Sequence, residues 1–530
     1  MRTAQAEVQP LPARNVSHAF AHYQQGRVAD AETICNAILA AEPDQFDALH
    51  LLGLLRHAQK RNAEALQLVG AVLKRAPRSA EVLSNYGLIL AGLSRHEESL
   101  AYFDEALHHS AGYLNALRNR AASLKALARD EEAVVAFEAI LATKGDDIDA
   151  LNECGGLLMR LGRPAEAIAY YDKALAAAPR LAELHVNKGS TLASLNRFDE
   201  ALQSFAAAMA IAPECAEAHY KASLIRLRFG DFKSGWRGYE WRWRTERAPR
   251  VRRVDAPLWC GEQPLKGRTI LLQGEQGFGD TIQFVRYAPL VAALGATVLL
   301  DVPPPLKALV ATVPGVARVF GQSETIPGVD FYCPMLSLPP AFCTELSTVP
   351  SNIPYIRPHE ERSAKWRTRL PQNGRLRIGL CWAGSNDHLN NRNRSIAIER
   401  FDRLLSLPNL DFISVQKEVD SAQAAFLQRF RVVQLGQDFQ DFADTAAVLA
   451  ELDLLISVDT SVAHLAGAMG KAVALLLPFP AEWRWLIDRS DSPWYPTMRL
   501  FRQTATGGWD GPLAQLHEEL SAVAARRPAL

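Results

Sequence analysis

A 34-residue period constrains this chain more than any other feature: six consecutive blocks run from residue 12 to residue 215 without an insertion. In the block that begins at Ala182, Gly189 stands at position 8, Ala201 at 20, Phe205 at 24, Ala208 at 27 and Pro213 at 32. The preceding block holds Gly155, Ala167, Tyr171, Ala174 and Pro179 at the same positions, and Gly53, Gly87, Ala65, Ala133, Phe103, Phe137, Pro43 and Pro77 recur in phase upstream. Small residues at 8, 20 and 27 let two antiparallel helices approach closely, and the proline stops the second helix. The aromatic residue at 24 is expected to fill the gap between neighbouring hairpins. One such hairpin cannot bury its apolar face alone, so hairpins stack into an α-solenoid with a concave groove.

This is the spacing of tetratricopeptide repeats, whose groove binds other proteins and performs no chemistry. Most of the 530 residues lie beyond it, so a second folded unit follows. Lys+Arg and Asp+Glu both number 58, which removes any global field for nucleic acid or an anionic membrane. The seven cysteines form no close pair and no zinc spacing. The N-terminal MRTAQAEVQPLPARN is not a secretion signal, and no run approaches the roughly 20 apolar residues of a membrane span. The expectation is a cytoplasmic protein with reduced thiols and no bound metal.

After Pro213, Ala216 to Phe229 still reads as a repeat helix, but GDFKSGWRGYEWRWRTERAPR does not continue the pattern. Trp236, Tyr239 and Trp243 share a helical face, with Arg237, Arg242 and Arg244 between them. The reading is a capping helix that wedges its aromatic face against the next domain while its arginines point outward. The solenoid with its cap is assigned to residues 12–249. From Arg268 the pattern changes to short apolar runs alternating with helix-like segments: RTILLQ, a helix over 281–295, ATVLLDV, VARVF and VDFYCP. A second series comprises RLRIGLCWAG, LDFISVQ, RVVQLG, DLLISVD, a helix over 461–469, and AVALLLP. The order predicts two successive Rossmann-like α/β halves, at 262–360 and 373–525, with ligands at the strand carboxyl ends.

The first strand runs into GEQGFGD, where Gly277 and Gly279 permit close approach of a ligand to the backbone. No Walker lysine follows, and Ile282 replaces the third glycine of a dinucleotide fingerprint, although Asp301 ends the next strand at a fitting distance. Asp280 reads as a helix N-cap, as a carboxylate placed to take a proton from an acceptor hydroxyl, or as both, with Glu275 in reserve. In the second half, Asp459, Thr460 and Ser461 open a helix that can receive phosphate, and His464 lies one turn in. Asp459 and Ser461 read equally as caps, and His464 as a core residue. WAGSNDHLNNRNRS supplies Arg392 and Arg394, either solvated or gripping a diphosphate. Gln416 and Lys417, directly after a strand, reach a nucleotide or sugar, or solvent. Trp483, Trp485 and Trp494, beside Arg484 and Arg489, stack on a ligand or pack the two halves together.

The stretches GEQGFGDTIQFVRYAPLVAALG, WAGSNDHLNNRNRS and DTSVAHLAGAMGK together resemble the family 9 glycosyltransferases, the ADP-heptose heptosyltransferases. The whole layout is similar to bacterial tetratricopeptide proteins bearing such a domain, and to the protein O-GlcNAc transferases. The resemblance implies a GT-B fold, a nucleotide-sugar donor, metal-independent transfer, Asp280 as catalytic base, and Asp459, Thr460, Ser461 and His464 on the donor-binding segment. Gln283 stands where heptosyltransferases have His, and Ser461 where they have Gly. The expected activity is glycosyl transfer to a protein or glycan recruited by the repeats. The alternative is a non-catalytic adaptor with a relic transferase domain.

Overall fold

The computed structural model describes residues 15–321, 324–385 and 390–525. Residues 12–14 of the first block, and 386–389 within the loop that carries Arg392 and Arg394, lie outside the described residues. The chain forms two compact units, one ending at Ile211 and one beginning at Ala212.

The first unit is a series of helical hairpins: α1 (Val16–Gln24) with α2 (Val28–Ala41), α3 (Phe46–Ala58) with α4 (Asn62–Arg75), and α5 (Ala80–Gly92) with α6 (His96–His109). It continues with α7 (Leu114–Ala126) and α8 (Asp130–Thr143), α9 (Ile148–Arg160) and α10 (Pro164–Ala177), and α11 (Ala182–Ser194) and α12 (Phe198–Ile211). Every hairpin turn contains one left-handed residue, in order Gly26, Lys60, Ser94, Ala128, Gly162 and Asn196. The following N–H closes the first helix by reaching back five residues, as Arg61 N does to Arg56 O at 2.8 Å. A Cβ added at Gly87, Gly155 or Gly189 would lie 2.6, 2.5 or 2.7 Å from the ring of Phe103, Tyr171 or Phe205. The aromatic residue at position 24 therefore lies against the glycine of its own hairpin, while Tyr171 also shares a core with Leu184 of the next hairpin, in keeping with the expected place between hairpins. The missing Cβ makes room for the ring.

The second unit opens with α13 (Ala216–Arg228) and α14 (Phe232–Tyr239), and Gly230 between them keeps the left-handed turn. Phe232, Trp236 and Tyr239 join the same core as Phe284, Trp483 and Trp494. The indole N–H of Trp236 donates to Thr344 O at 3.2 Å. This capping hairpin is thus packed into the α/β region. Arg237 faces solvent, but Arg242 is only 1% exposed, contrary to the expected outward position.

Two parallel sheets follow. β1 (Thr269–Gln273), β2 (Thr297–Asp301), β3 (Val316–Phe320) and β4 (Phe331–Pro334) stand in the order β3-β2-β1-β4. β5 (Leu376–Cys381), β6 (Leu410–Ser414), β7 (Val433–Gln434), β8 (Leu454–Val458), β9 (Val473–Leu477) and β10 (Met498–Arg502) stand in the order β10-β9-β8-β5-β6-β7. β10 is absent from the sequence reading, because five residues with Arg499 and Arg502 among Met, Leu and Phe give too short an apolar run. Connecting helices in the first half are α15 (Phe278–Phe284), α16 (Ala288–Ala293), α17 (Lys307–Val310) and α18 (Leu338–Ala341). α19 (Glu360–Arg367) leads to the second half, which adds α20 (Asn391–Arg394), α21 (Asp402–Leu405), α22 (Ser421–Arg429), α23 (Phe442–Ala450), α24 (Ser461–Ala468) and the terminal α25 (Asp510–Ala525).

In the second sheet the chain lays strands outward from β5 to β7, then returns to the other side of β5 for β8 to β10. This is the doubly wound order, and the reversal between β5 and β8 opens a crevice at the strand carboxyl ends. The first sheet reverses likewise between β1 and β4. No helix among the described residues is long and apolar enough to cross a membrane.

Candidate functional site

The crevice beside β1 and β4 is filled by the chain itself. Arg242 donates to both oxygens of Glu275, at 2.9 and 3.0 Å, to Ser337 Oγ at 2.8 Å and to Glu240 at 2.7 Å. Glu275 also accepts from Leu336 N at 2.9 Å. Burial works against the Arg242 charge, but the Glu275 and Glu240 carboxylates outweigh it and raise its pKa. Glu275 is committed to this buried pair, which corrects its reading as a reserve base. Asp301, at the end of β2, is paired with Arg252 at 3.3 Å and so does not offer a free carboxylate to a ribose.

The crevice beside β5 and β8 is built differently. β8 delivers Asp459 and Thr460 into the start of α24, where Thr460 is the N-cap residue. The Thr460 hydroxyl turns to Ser457 Oγ at 3.2 Å and makes no bond to the helix. The first-turn N–H groups of α24, beginning at Ser461, consequently lack a side-chain cap and retain their preference for an anion. Arg394, the last residue of α20, donates Nη1 to Asp459 O at 3.0 Å. Its guanidinium lies over Gly384, where a Cβ would collide with it. Arg392 stands exposed on the same short helix, so the structure brings Arg394, and not Arg392, to the helix start.

Asp459 is buried, and its Oδ2 accepts from the indole N–H of Trp485 at 2.9 Å. Burial, aided by the nearby Glu482 charge, raises its pKa to about 6. The His464 ring is stacked on Trp485 with centroids 5.3 Å apart, and its Nδ1 is 2.9 Å from Tyr495 OH. Burial, then the charges of Arg484, Arg286 and Arg394, holds the His464 pKa well below the ordinary range, so the ring is neutral. His464 is therefore a core residue that also shapes the site.

The other half enters through α15. The sequence reading starts this helix at Thr281 and offers Asp280 as its N-cap. In the structure Gly277 is the N-cap, and Asp280 occupies the third helical position, its Oδ2 accepting from Gly277 N at 2.8 Å. A Cβ on Gly279 would lie 2.8 Å from His464 Cδ2. That glycine lets α15 and α24 meet, and the space beside it belongs to His464 and not to a ligand. Asp280 Oδ1 is paired with Arg484, whose Nε donates to Gln283 Oε1 at 2.7 Å. Beneath them, buried Arg286 donates to Trp494 O at 2.7 Å, Gln283 O at 2.7 Å and Tyr355 OH at 2.9 Å, tying the halves together.

Two further residues from the sequence reading are engaged by the chain itself. Gln416 Oε1 accepts from Trp382 N at 3.2 Å and Ala383 N at 3.1 Å, so it shapes the turn after β5. Lys417 is exposed and donates to Phe439 O. Trp483, Trp485 and Trp494 are buried in the core shared with Phe284, which fits the packing alternative and not the stacking one. Arg484 and Tyr495 are site residues that the sequence reading does not assign. The run of aromatic residues and arginines after β9 was their only signal. A depression of about 450 Å³, lined by Pro304, Lys307, Val319 and Asp441 among others, includes none of the residues gathered around α15 and α24.

Residues 17–70, 62–113 and 146–214 match the tetratricopeptide-repeat family, so the first unit is a tetratricopeptide-repeat solenoid. The chain is similar to Protein FlbA of Caulobacter vibrioides, at 25% identity over 332 residues, which cover 58% of this chain and 55% of FlbA. The chain thus spans about half the length of that curated relative. Among solved structures, YrrB, described as a TPR protein with an unusual peptide-binding site, is 23% identical with a TM-score of 0.28, covering 33% of this chain and 88% of YrrB. Pseudomonas aeruginosa pilF is 20% identical with a TM-score of 0.34, covering 38% of this chain and 92% of pilF.

Proposed function

We propose that the second unit is a GT-B-type glycosyltransferase that moves a sugar from a nucleotide-sugar donor to a protein or glycan acceptor recruited by the repeats. The observation that carries this reading is the meeting of α15 and α24: a carboxylate from the first half, Asp280, shares one electrostatic cluster with the uncapped start of a helix from the second. The donor diphosphate lies against the first turn of α24 and Arg394, which supply N–H donors and a guanidinium without a metal. Asp280 accepts the proton of the acceptor hydroxyl. The hydroxyl oxygen then bonds to the anomeric carbon as the bond from that carbon to the diphosphate breaks. The electron pair leaves with the nucleoside diphosphate, and its charge is met by donors already in place.

Calorimetric titration of the whole chain with UDP, GDP, ADP and CMP, with and without attached sugars, tests this reading. One nucleoside diphosphate binds, EDTA does not change its affinity, and Arg394→Ala weakens it by about 2–4 kcal/mol, whereas Arg392→Ala changes it little. With the matching donor, Asp280→Asn lowers single-turnover transfer about a hundredfold at unchanged nucleotide affinity or tighter. A wild-type protein that binds none of these compounds would favour the adaptor. Normal turnover in Asp280→Asn would move the base to another carboxylate.

A further inference from the structure

The segment after β9 holds both carboxylates of the site through two adjacent side chains. Arg484 is paired with Asp280 and donates to Gln283, while Trp485 donates to Asp459. Arg484 is almost wholly buried, its Nη1 is 3.6 Å from Glu482, and its guanidinium lies over the Trp483 ring at 4.6 Å. The backbone just beyond it is strained: Leu486 has φ 55° and ψ −166°, and Asp488 has φ 53°. Side chains with a Cβ rarely adopt such angles unless the surroundings hold them there, and such positions cluster at functional segments.

Arg484 also bears on the second half of the site. Its charge acts on Asp459 and His464, the two residues on which Arg394 acts. Trp485, the next residue, bonds to Asp459, and Gly279, next to Asp280, lies against His464 of α24, so the Arg484 guanidinium is a near neighbour of an anion held at the start of α24. Asp280 has both oxygens engaged, one by Gly277 N and one by Arg484. Each of those oxygens keeps a second lone pair, so a hydroxyl can still reach Asp280, but it shares the approach to Oδ1 with the Arg484 guanidinium. The Gly277 bond lies within the helix start, and the arginine is the partner that an incoming anion can compete for.

We propose that Arg484 is a positioning residue shared between Asp280 and the donor diphosphate, holding the carboxylate until the donor binds and then turning one arm of its fork to phosphate. The inference rests on the glycosyl-transfer reading and adds an order to it: the donor binds first and releases Asp280 for the acceptor. A guanidinium suits this exchange, because its planar fork makes charge-assisted bonds to carboxylate and phosphate alike.

The test measures the affinity of the full chain for UDP, GDP, ADP and CDP, comparing wild type with Asp280→Asn, Arg484→Gln, Arg484→Lys and the Asp280→Asn/Arg484→Gln pair. Asp280→Asn keeps an oxygen for Gly277 N and frees the arginine, so it binds the preferred diphosphate about five- to tenfold more tightly. Arg484→Gln binds about tenfold or more weakly, and Arg484→Lys recovers part of that loss by restoring the charge. In the Arg484→Gln background, Asp280→Asn gains nothing, and this non-additivity is the signature of a shared cation. An equal gain from Asp280→Asn in both backgrounds would overturn the proposal, leaving only the field of one carboxylate. So would wild-type affinity in Arg484→Gln, or unchanged affinity in Asp280→Asn, which also covers the case in which Arg484→Gln fails to fold. Absence of binding to wild type removes the glycosyl-transfer reading itself, whereas intact binding without coupling removes only the role of Arg484.

Discussion

Both halves of the second unit reverse their strand order beside the first strand, at β1/β4 and at β5/β8, and ligands of open α/β sheets favour such crevices. The two crevices nevertheless differ in what occupies them. Beside β1 and β4 the chain inserts Arg242 from the segment after α14, and Glu275, Ser337 and Glu240 consume its donors. Beside β5 and β8 the helix start is left without a side-chain cap, and Arg394 and Arg484 act on its buried Asp459 and His464. Topology nominates both places, and satisfied hydrogen bonds withdraw one of them. The comparison also explains why a hairpin that continues the repeat register belongs, by packing, with the α/β region.

The strongest way to break this comparison is to remove the plug altogether. A chain beginning at residue 250 loses Phe232, Trp236 and Tyr239 from the core. Each large aromatic residue contributes about 3–5 kcal/mol, and a domain is stable by only roughly 5–15 kcal/mol. That chain should fail to fold, while one beginning at residue 212 should give a cooperative thermal transition. Soluble, folded protein from residue 250 would show that α13 and α14 are dispensable.

A narrower cut is Arg242→Ala, which leaves Glu275 buried without its cation. The loss should be about 3–5 kcal/mol in denaturant unfolding, the usual consequence of breaking a buried pair from one side. A loss below about 1 kcal/mol would mean that water reaches Glu275 and that this crevice is open after all.

The smallest effect lies in the other crevice. The folded pKa of Asp459 is raised from an ordinary 3.8 to about 6, by burial first and by Glu482 second. The folded state therefore holds this proton more tightly than the unfolded state does. The stability linked to it is fully present below pH 4 and is lost as pH rises to 6, by up to about 3 kcal/mol. Asp459→Asn can still accept from Trp485 and carries no such loss. It should be the more stable protein at pH 7, with the gap closing between pH 6 and pH 4. A gap that does not change with pH would mean that Asp459 is solvated in the folded protein.

The sequence and the structure part company at identifiable residues. Nine of the ten described strands follow from apolar runs, whereas β10 does not, because an edge strand with arginines at two of five places has little apolar signal. The start of α15 at Phe278 lies three residues earlier than the expected Thr281, since a glycine N-cap carries no side-chain mark. Asp459, Thr460 and Ser461 were legible because they follow the end of β8 directly, and Asp280 and His464 because they lie in the first turn or so of the helix that follows a strand. Arg484 was not, because it approaches Asp280 across 204 residues of chain.

By itself the sequence determined the repeat register, from the 34-residue recurrence of small, aromatic and turn residues, and the parallel α/β nature of the remainder, from the alternation of apolar strands and helices. Both are local properties, written in spacing and in backbone preference. Only the tertiary structure decided which charged side chains are consumed and which remain for chemistry. Arg242 and Arg484 lie in similar aromatic, arginine-rich segments, yet one closes a crevice and the other holds the carboxylate of a candidate site. That difference depends on partners distant along the chain, and the cost of leaving a buried charge unpaired makes those partners decisive.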